Sequence, residues 1–160
     1  MIMIRAAQKQ DTPVILQFIK DLAAYEKAAD EVVADVAQIE RSLFSDAPKA
    51  FALIAEEDNQ AIGFAVYFFS YSTWLGQYGL YLEDLYVTPE ARGHGAGLAL
   101  MKKLADIAVN NQCSRFEWSV LDWNDPAIQF YKSIGAEPKS EWVGYRLAGN
   151  ALQAFASSPE

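Results

Sequence analysis

Tyr81-Leu-Glu-Asp-Leu-Tyr-Val-Thr-Pro-Glu-Ala-Arg-Gly-His-Gly-Ala-Gly-Leu-Ala-Leu100 runs an apolar strand into a glycine-rich turn and then into an amphipathic helix. Gly93, Gly95 and Gly97 carry no Cβ, so the backbone there can take unusual dihedrals and approach a ligand closely. Its N–H groups can then converge on an anion at the positive end of the helix dipole. Strand, glycine turn and helix in that order make a pyrophosphate cradle. For the loop by itself, an ordinary glycine turn is the competing reading.

The rest of the chain bounds what such a cradle can serve. At 160 residues, 52% hydrophobic and 21% charged, without a low-complexity stretch or linker, it is expected to form one domain over residues 1–160. The N-terminus lacks a basic start followed by a sustained apolar run, and the longest apolar segment, 61–69, is too short to span a bilayer. A cytoplasmic protein without membrane partners is the expectation. One cysteine, Cys113, excludes an internal disulfide, and with a single histidine it argues against a structural zinc site. Cys113 reads as a small buried hydrophobe. A net charge of −8 argues against nucleic acid and is compatible with a cationic small substrate.

Periodicity places the elements around that loop. Residues 1–7 alternate as a strand, and Asp11 or Thr12 can cap a helix that has Pro13 in its first turn and continues to about Lys27. Ile15, Phe18, Ile19, Leu22 and Ala23 give this helix one buried face. A second helix is expected over 35–44. Residues 51–56 and 61–71 read as an antiparallel hairpin, and the loop 72–79 returns into a strand over 80–87. A helix over 97–110, a strand over 115–120, a helix over 126–134 opened by Asn124 or Asp125, and a last strand over 142–147 complete the order. The fold class is α+β, a mixed and mostly antiparallel sheet with helices on both faces.

Arg92-Gly-His-Gly-Ala-Gly97 matches the phosphate-loop pattern of the GNAT superfamily of acyl-CoA-dependent N-acetyltransferases, which the chain resembles over about residues 4–152. Tyr67-Phe-Phe-Ser-Tyr-Ser-Thr-Trp-Leu-Gly76, Tyr81-Leu-Glu-Asp-Leu85, and Trp118-Ser-Val-Leu-Asp-Trp-Asn-Asp-Pro-Ala-Ile-Gln-Phe-Tyr-Lys132 followed by Gly135-Ala136 are more specific. Together they resemble the diamine, or spermidine/spermine and thialysine, acetyltransferase branch. The resemblance implies a GNAT-like single domain in which acetyl-CoA enters between two splayed parallel strands, here 81–87 and 115–120. Leu85, Tyr86 and Val87 would pair with the pantetheine amides. Arg92, Gly93, His94, Gly95, Ala96, Gly97 and Leu98 would hold the pyrophosphate. Asn124, Asp125, Pro126 and Ala127 would contact the cofactor's other side, although Asn124 is equally good as a helix cap. The resemblance also implies a homodimer.

Acetyl transfer from a thioester to an amine needs a free amine and a protonated leaving thiolate, and no metal. An alkylammonium is neutral in only about one molecule in two thousand at pH 7, so the site must remove a proton. Glu83, an acid inside an apolar strand, is the candidate base; a structural acid paired across the sheet is the alternative, and Asp84 points to the opposite face. Tyr131 is the candidate general acid by the resemblance, although its spacing from Ile128 and Ile134 also suits a core residue. Tyr25 and Glu26 map onto a diamine-binding pair, with Trp74, Trp118 and Tyr25 able to offer aromatic faces to cations. A solvated helix-end Glu and core tryptophans are the competing readings. Residues 141–144 depart from the polyamine pattern.

Other readings of the loop fail in detail. It lacks the Gly-Lys-Ser/Thr ending of a P-loop, and Leu98 takes the last glycine position of a dinucleotide fingerprint. Glu117 has the spacing that fingerprint expects, but the antiparallel strands before the loop do not suit it. His94, the only histidine, reads as a loop filler. An acetyltransferase for another amine and a non-catalytic acyl-CoA-binding module remain alternatives.

Overall fold

The computed structural model describes residues 1–159. Met1–Leu121 forms one compact unit, and the residues from Asp122 onward form a second. The first holds a five-stranded sheet in the order β1-β2-β3-β4-β5. These strands are Ile2–Ala6, Phe51–Glu57, Gln60–Ser72, Gln77–Val87 and Arg115–Trp118. The first four pair antiparallel, and β4 pairs with β5 in parallel.

Helix α1, Thr12–Tyr25, and helix α2, Val36–Leu43, close one face of this sheet. Ile15 and Phe18 of α1, with Ile39 and Leu43 of α2, pack with Ala52, Ile54, Phe64 and Tyr86. The register explains the set, because Ile54, Phe64 and Tyr86 are cross-strand neighbours on three adjacent strands. Helix α3, Ala96–Asn110, buries Ala96, Leu100, Met101, Leu104 and Ala108 separately from that cluster. Ala52 to Ala55 are all buried, so β2 is covered on both faces.

Asp11 does not cap α1 with its side chain. Its carboxylate instead accepts two bonds from the Arg5 guanidinium, at 2.8 and 2.9 Å, and one from the Gln8 N–H at 2.7 Å. Arg5 also reaches Glu56 at 3.0 Å, which ties β1, β2 and the start of α1 together. The planar fork of arginine serves two carboxylates at once. Its hydrogen bonds hold the Asp11 carboxyl below the usual carboxylate range, with the Gln8 N–H and the guanidinium charge adding to the effect.

In the second unit, α4 spans Asp125–Ser133 and α5 spans Gly149–Ser157. The Asn124 side chain accepts the Ala127 N–H at 3.4 Å, and Pro126 occupies the first turn of α4. At its other end Gly135 takes a φ of 90°, so that Ala136 N–H closes back on the Tyr131 carbonyl at 3.1 Å. The strand expected over 142–147 does not form: residues 142–148 join no sheet, and the chain continues into α5. Alternating apolar residues make a strand only where a ladder partner exists. Among the described residues the sheet ends at β5. The strand expected over 115–120 likewise stops at Trp118.

Candidate active site

Strand β4 has two neighbours over only four of its eleven residues. Parallel pairing to β5 covers Gly79 to Leu82, with Leu82 opposite Trp118 as its last step. On the other side, Leu82 lies opposite Tyr67 and Asp84 opposite Val66, so Glu83 is an inserted residue without its own partner. Such a bulge bends the strand and raises its local twist. The strands therefore part within the pair 81–87 and 115–120, where the resemblance to GNAT proteins implies the splay. Leu85, Tyr86 and Val87 remain paired to Ala65, Phe64 and Gly63 of β3 but have left β5.

The bulge also sorts the two acids. Glu83 is exposed, while Asp84 is largely buried on the face that carries Phe64, Val66 and Tyr86. Burial pushes the Asp84 carboxyl up to about 6, with the negative charges of Glu83 and Glu26 adding to the effect. Glu26 is itself raised by burial. It follows the last turn of α1, which ends because Lys27 adopts a φ of 60°, with Ala28 N–H returning to Ala23 O at 2.8 Å. Three carboxylates thus gather where β4 leaves β5. Asp84 was not among the sequence candidates, because straight alternation along β4 gives no hint of the extra residue; the acid doublet inside an apolar strand was the available signal. The described residues contain no group of His, Cys, Asp or Glu arranged to hold a metal ion.

From Val87 the chain passes through one tight turn, Pro89–Ala91, into the glycine loop. Gly93 and Gly95 have φ values of 84° and 93°, which a side chain would strain. Gly95 is the N-cap of α3 and provides no side-chain cap, so the first amides of a 15-residue helix face outward. A Cβ at Gly97 would meet no heavy atom within 4 Å. Local packing therefore does not demand that glycine, whereas a close anionic ligand would. Arg92, Gly93, His94, Gly95 and Leu98 are exposed; Ala96 is buried and anchors the loop. The arrangement suits a phosphate group.

The other candidates divide. Trp118 is half-buried at the point of parting, its ring edge-on to Phe116 at 4.9 Å. Trp74 is 79% exposed in the turn before β4, about 20 Å along the strand from Glu83 at the usual rise per residue, so it does not join the acids. In the second unit, Tyr131 is half-buried on α4, its ring 5.7 Å from that of Phe130, and Asn124, Asp125, Pro126 and Ala127 form the opening turn.

Residues 16–136 match the Acetyltransferase (GNAT) family. The chain belongs to this family. Its fold, a mixed five-stranded sheet flanked by helices, is the GNAT fold, and its activity is that of an N-acetyltransferase. It is similar to the thialysine N-epsilon-acetyltransferase of Sus scrofa, 37% identical over 97% of both chains. It is also similar to the human spermidine/spermine N(1)-acetyltransferase-like protein 1, 40% identical over 90% of this chain and 22% of that one. Among solved structures, an integron cassette protein from the mobile metagenome of V. cholerae superposes with a TM-score of 0.82 at 32% identity, covering 98% of each chain.

Two outcomes follow for this GNAT site. Asp84 titrates near 3.9 when unfolded and at about 6 when folded, so the folded state holds more protons between those values. Stability should therefore fall as pH rises from about 4 to about 6 and stay reduced above it. Asp84→Asn should remove this slope and raise stability at pH 8 by about 1–3 kcal/mol in urea titrations. A parent slope retained in the Asn variant would assign the effect elsewhere. Gly97→Ala should keep or slightly raise stability, by up to about 1 kcal/mol from helix propensity. It should nevertheless weaken CoA binding at least tenfold by calorimetry, and unchanged affinity would remove Gly97 from the cradle.

Proposed function

We propose that this enzyme transfers an acetyl group from acetyl-CoA to a primary amine of a small polycationic substrate, a diamine, polyamine or thialysine-like molecule. The gathering of Glu26, Glu83 and Asp84 where β4 leaves β5, on the strand that leads into the glycine loop, carries this reading. Acidic groups on the strand that leads to an anion cradle suit one substrate of each sign. The names of the similar proteins, a thialysine N-epsilon-acetyltransferase and a spermidine/spermine N(1)-acetyltransferase-like protein, support the choice of amine.

In this reading the loop 92–98 holds the pyrophosphate of acetyl-CoA, and Leu85, Tyr86 and Val87 offer backbone groups to the pantetheine as to an added strand. The ammonium gives a proton to Glu83, directly or through water. The neutral nitrogen attacks the thioester carbonyl, and the C–S bond breaks as the N–C bond forms. Tyr131 donates its phenolic proton to the departing thiolate and regains one, directly or through water, from the acylated nitrogen as it becomes a neutral amide. Glu26 with Tyr25 binds the substrate's second cation, and Asp84, on which the Glu26 charge acts, adds a largely buried negative charge. At an effective dielectric near 20, a carboxylate about 4 Å from an ammonium gains roughly 4 kcal/mol before desolvation, enough to separate a diamine from a monoamine. A homodimer belongs to this reading, supported by the exposed Val143, Tyr145 and Phe155 of the second unit. A single-chain mass in sedimentation at micromolar concentration would remove that element.

Thiol release with acetyl-CoA tests the proposal. A diamine or thialysine should exceed a monoamine of equal length in kcat/KM, mainly through KM, and Glu26→Gln should erase most of the difference. Tyr131→Phe should lower kcat by about 10²- to 10⁴-fold while the protein stays folded. Equal kcat/KM for the two amines in the parent would overturn the polycationic substrate. A Phe variant with parental single-turnover rate would overturn Tyr131 as the acid.

A further inference from the structure

Among the aromatic faces named for a substrate cation, Tyr25 already carries one from the protein itself. The Arg92 guanidinium lies 5.5 Å from the Tyr25 ring centroid and 5.6 Å from that of Tyr86. Its Nε–H donates to the Val87 carbonyl at 2.9 Å, which fixes the head group against the end of β4. Tyr86 in turn packs on Phe18 of α1 with the rings 5.6 Å apart. The cationic side chain at the start of the glycine loop thus rests on the end of α1, on the residue next to Glu26.

We infer that Arg92 couples the two substrates, so that an anion on the glycine loop and a cation at Tyr25–Glu26 each tighten the other's binding. This rests on the site reading above. The sign follows from charge. The guanidinium contributes positive potential where the amine reading places a second positive charge, and like charges at short range oppose each other. A pyrophosphate on the loop that begins at Arg92 offsets that potential, and the cation then meets less repulsion. By linkage the amine must improve the affinity for the anion by the same factor. An arginine suits this task because its planar head can lie on two rings and still donate an edge N–H. An exposed contact of this kind supports a factor at the lower end of the usual range, about fivefold.

Calorimetry with CoA, which cannot transfer an acetyl group, and putrescine or thialysine measures the coupling without turnover. In the parent, saturating CoA should tighten the amine about fivefold, and saturating amine should tighten CoA equally. Raising salt from about 0.05 M to about 0.5 M should shrink the factor towards one. Arg92→Gln should abolish the coupling, weaken CoA, and tighten the amine measured alone. A merely structural arginine would not produce that last change. Arg92→Lys, which keeps the charge, should keep the sign. Independent binding in the parent, or a parental factor retained in Arg92→Gln, would overturn the coupling while leaving the site reading intact. Failure of the parent to bind either ligand would overturn both. If Arg92→Gln does not fold, the salt series and Arg92→Lys decide: a factor insensitive to salt, or reversed in the Lys variant, rejects the inference.

Discussion

Strand β4 cannot keep both neighbours along its whole length, and the site is built on the place where it gives one up. Up to Leu82 it is an interior strand, hydrogen-bonded to β3 and to β5. One residue later Glu83 is inserted, and the ladder to β3 resumes at Asp84 with the strand turned. The same event exposes Glu83, turns Asp84 towards α1, and separates the 85–87 backbone from β5. Because the strand then enters Pro89–Ala91 and the glycine loop, the bulge also sets the direction from which that loop approaches. Four features of the candidate site therefore share one geometric origin.

Packing and electrostatics oppose each other around this origin. The α1 face of β4 carries Tyr86 into the apolar cluster and Asp84 beside it. An ionised Asp84 is disfavoured by burial and by two acidic neighbours, which no ordinary structural requirement calls for. Perturbed carboxyls of this kind concentrate where a protein needs charge for a ligand. The contrast with Asp11 is instructive. There a buried carboxylate meets a bidentate arginine and its proton affinity falls. The first arrangement leaves electrostatic demand for a cation; the second satisfies it internally and serves the fold.

How much of this was legible in the sequence depended on how local each cause was. Helices α1 and α3, the β2–β3 hairpin and the glycine loop were readable, because apolar spacing and glycine placement act within a few residues of chain. The bulge was not, since Leu80 and Leu82 alternate regularly and the inserted residue is visible only against Val66 and Tyr67 of the partner strand. Apolar spacing alone carries α1 two residues too far, to about Lys27, because Lys27, and no glycine, takes the left-handed position. Asp11 looked like a cap because its partners Arg5 and Gln8 lie upstream of the helix and a cap is defined downstream. The segment 142–147 has strand-like alternation but no ladder, and α5 begins with Gly149 and an Ala148 N-cap that announce nothing. In the site, residue types were readable and their grouping was not: Trp74 belongs to the far turn, and Asp84 joins the acids only through the bulge.

The pairing of β3 with β4 has a consequence for the order in which the protein assembles. Ser72 already faces Gln77 across the turn, and the ladder continues to Gly63 opposite Val87, with Tyr71 and Tyr78 meeting edge to face near its tip at 5.2 Å. Its first contacts close a short loop and each later pair extends that closure stepwise, so the ladder carries a small entropic cost per step, which favours early formation. The strand that presents Glu83 and Asp84 can thus acquire its register from its immediate predecessor, before α3 and β5 have been synthesised. On a ribosome, a chain that has emerged only as far as Val87 already contains the information for the bulge. The later elements dock against a geometry that is set without them.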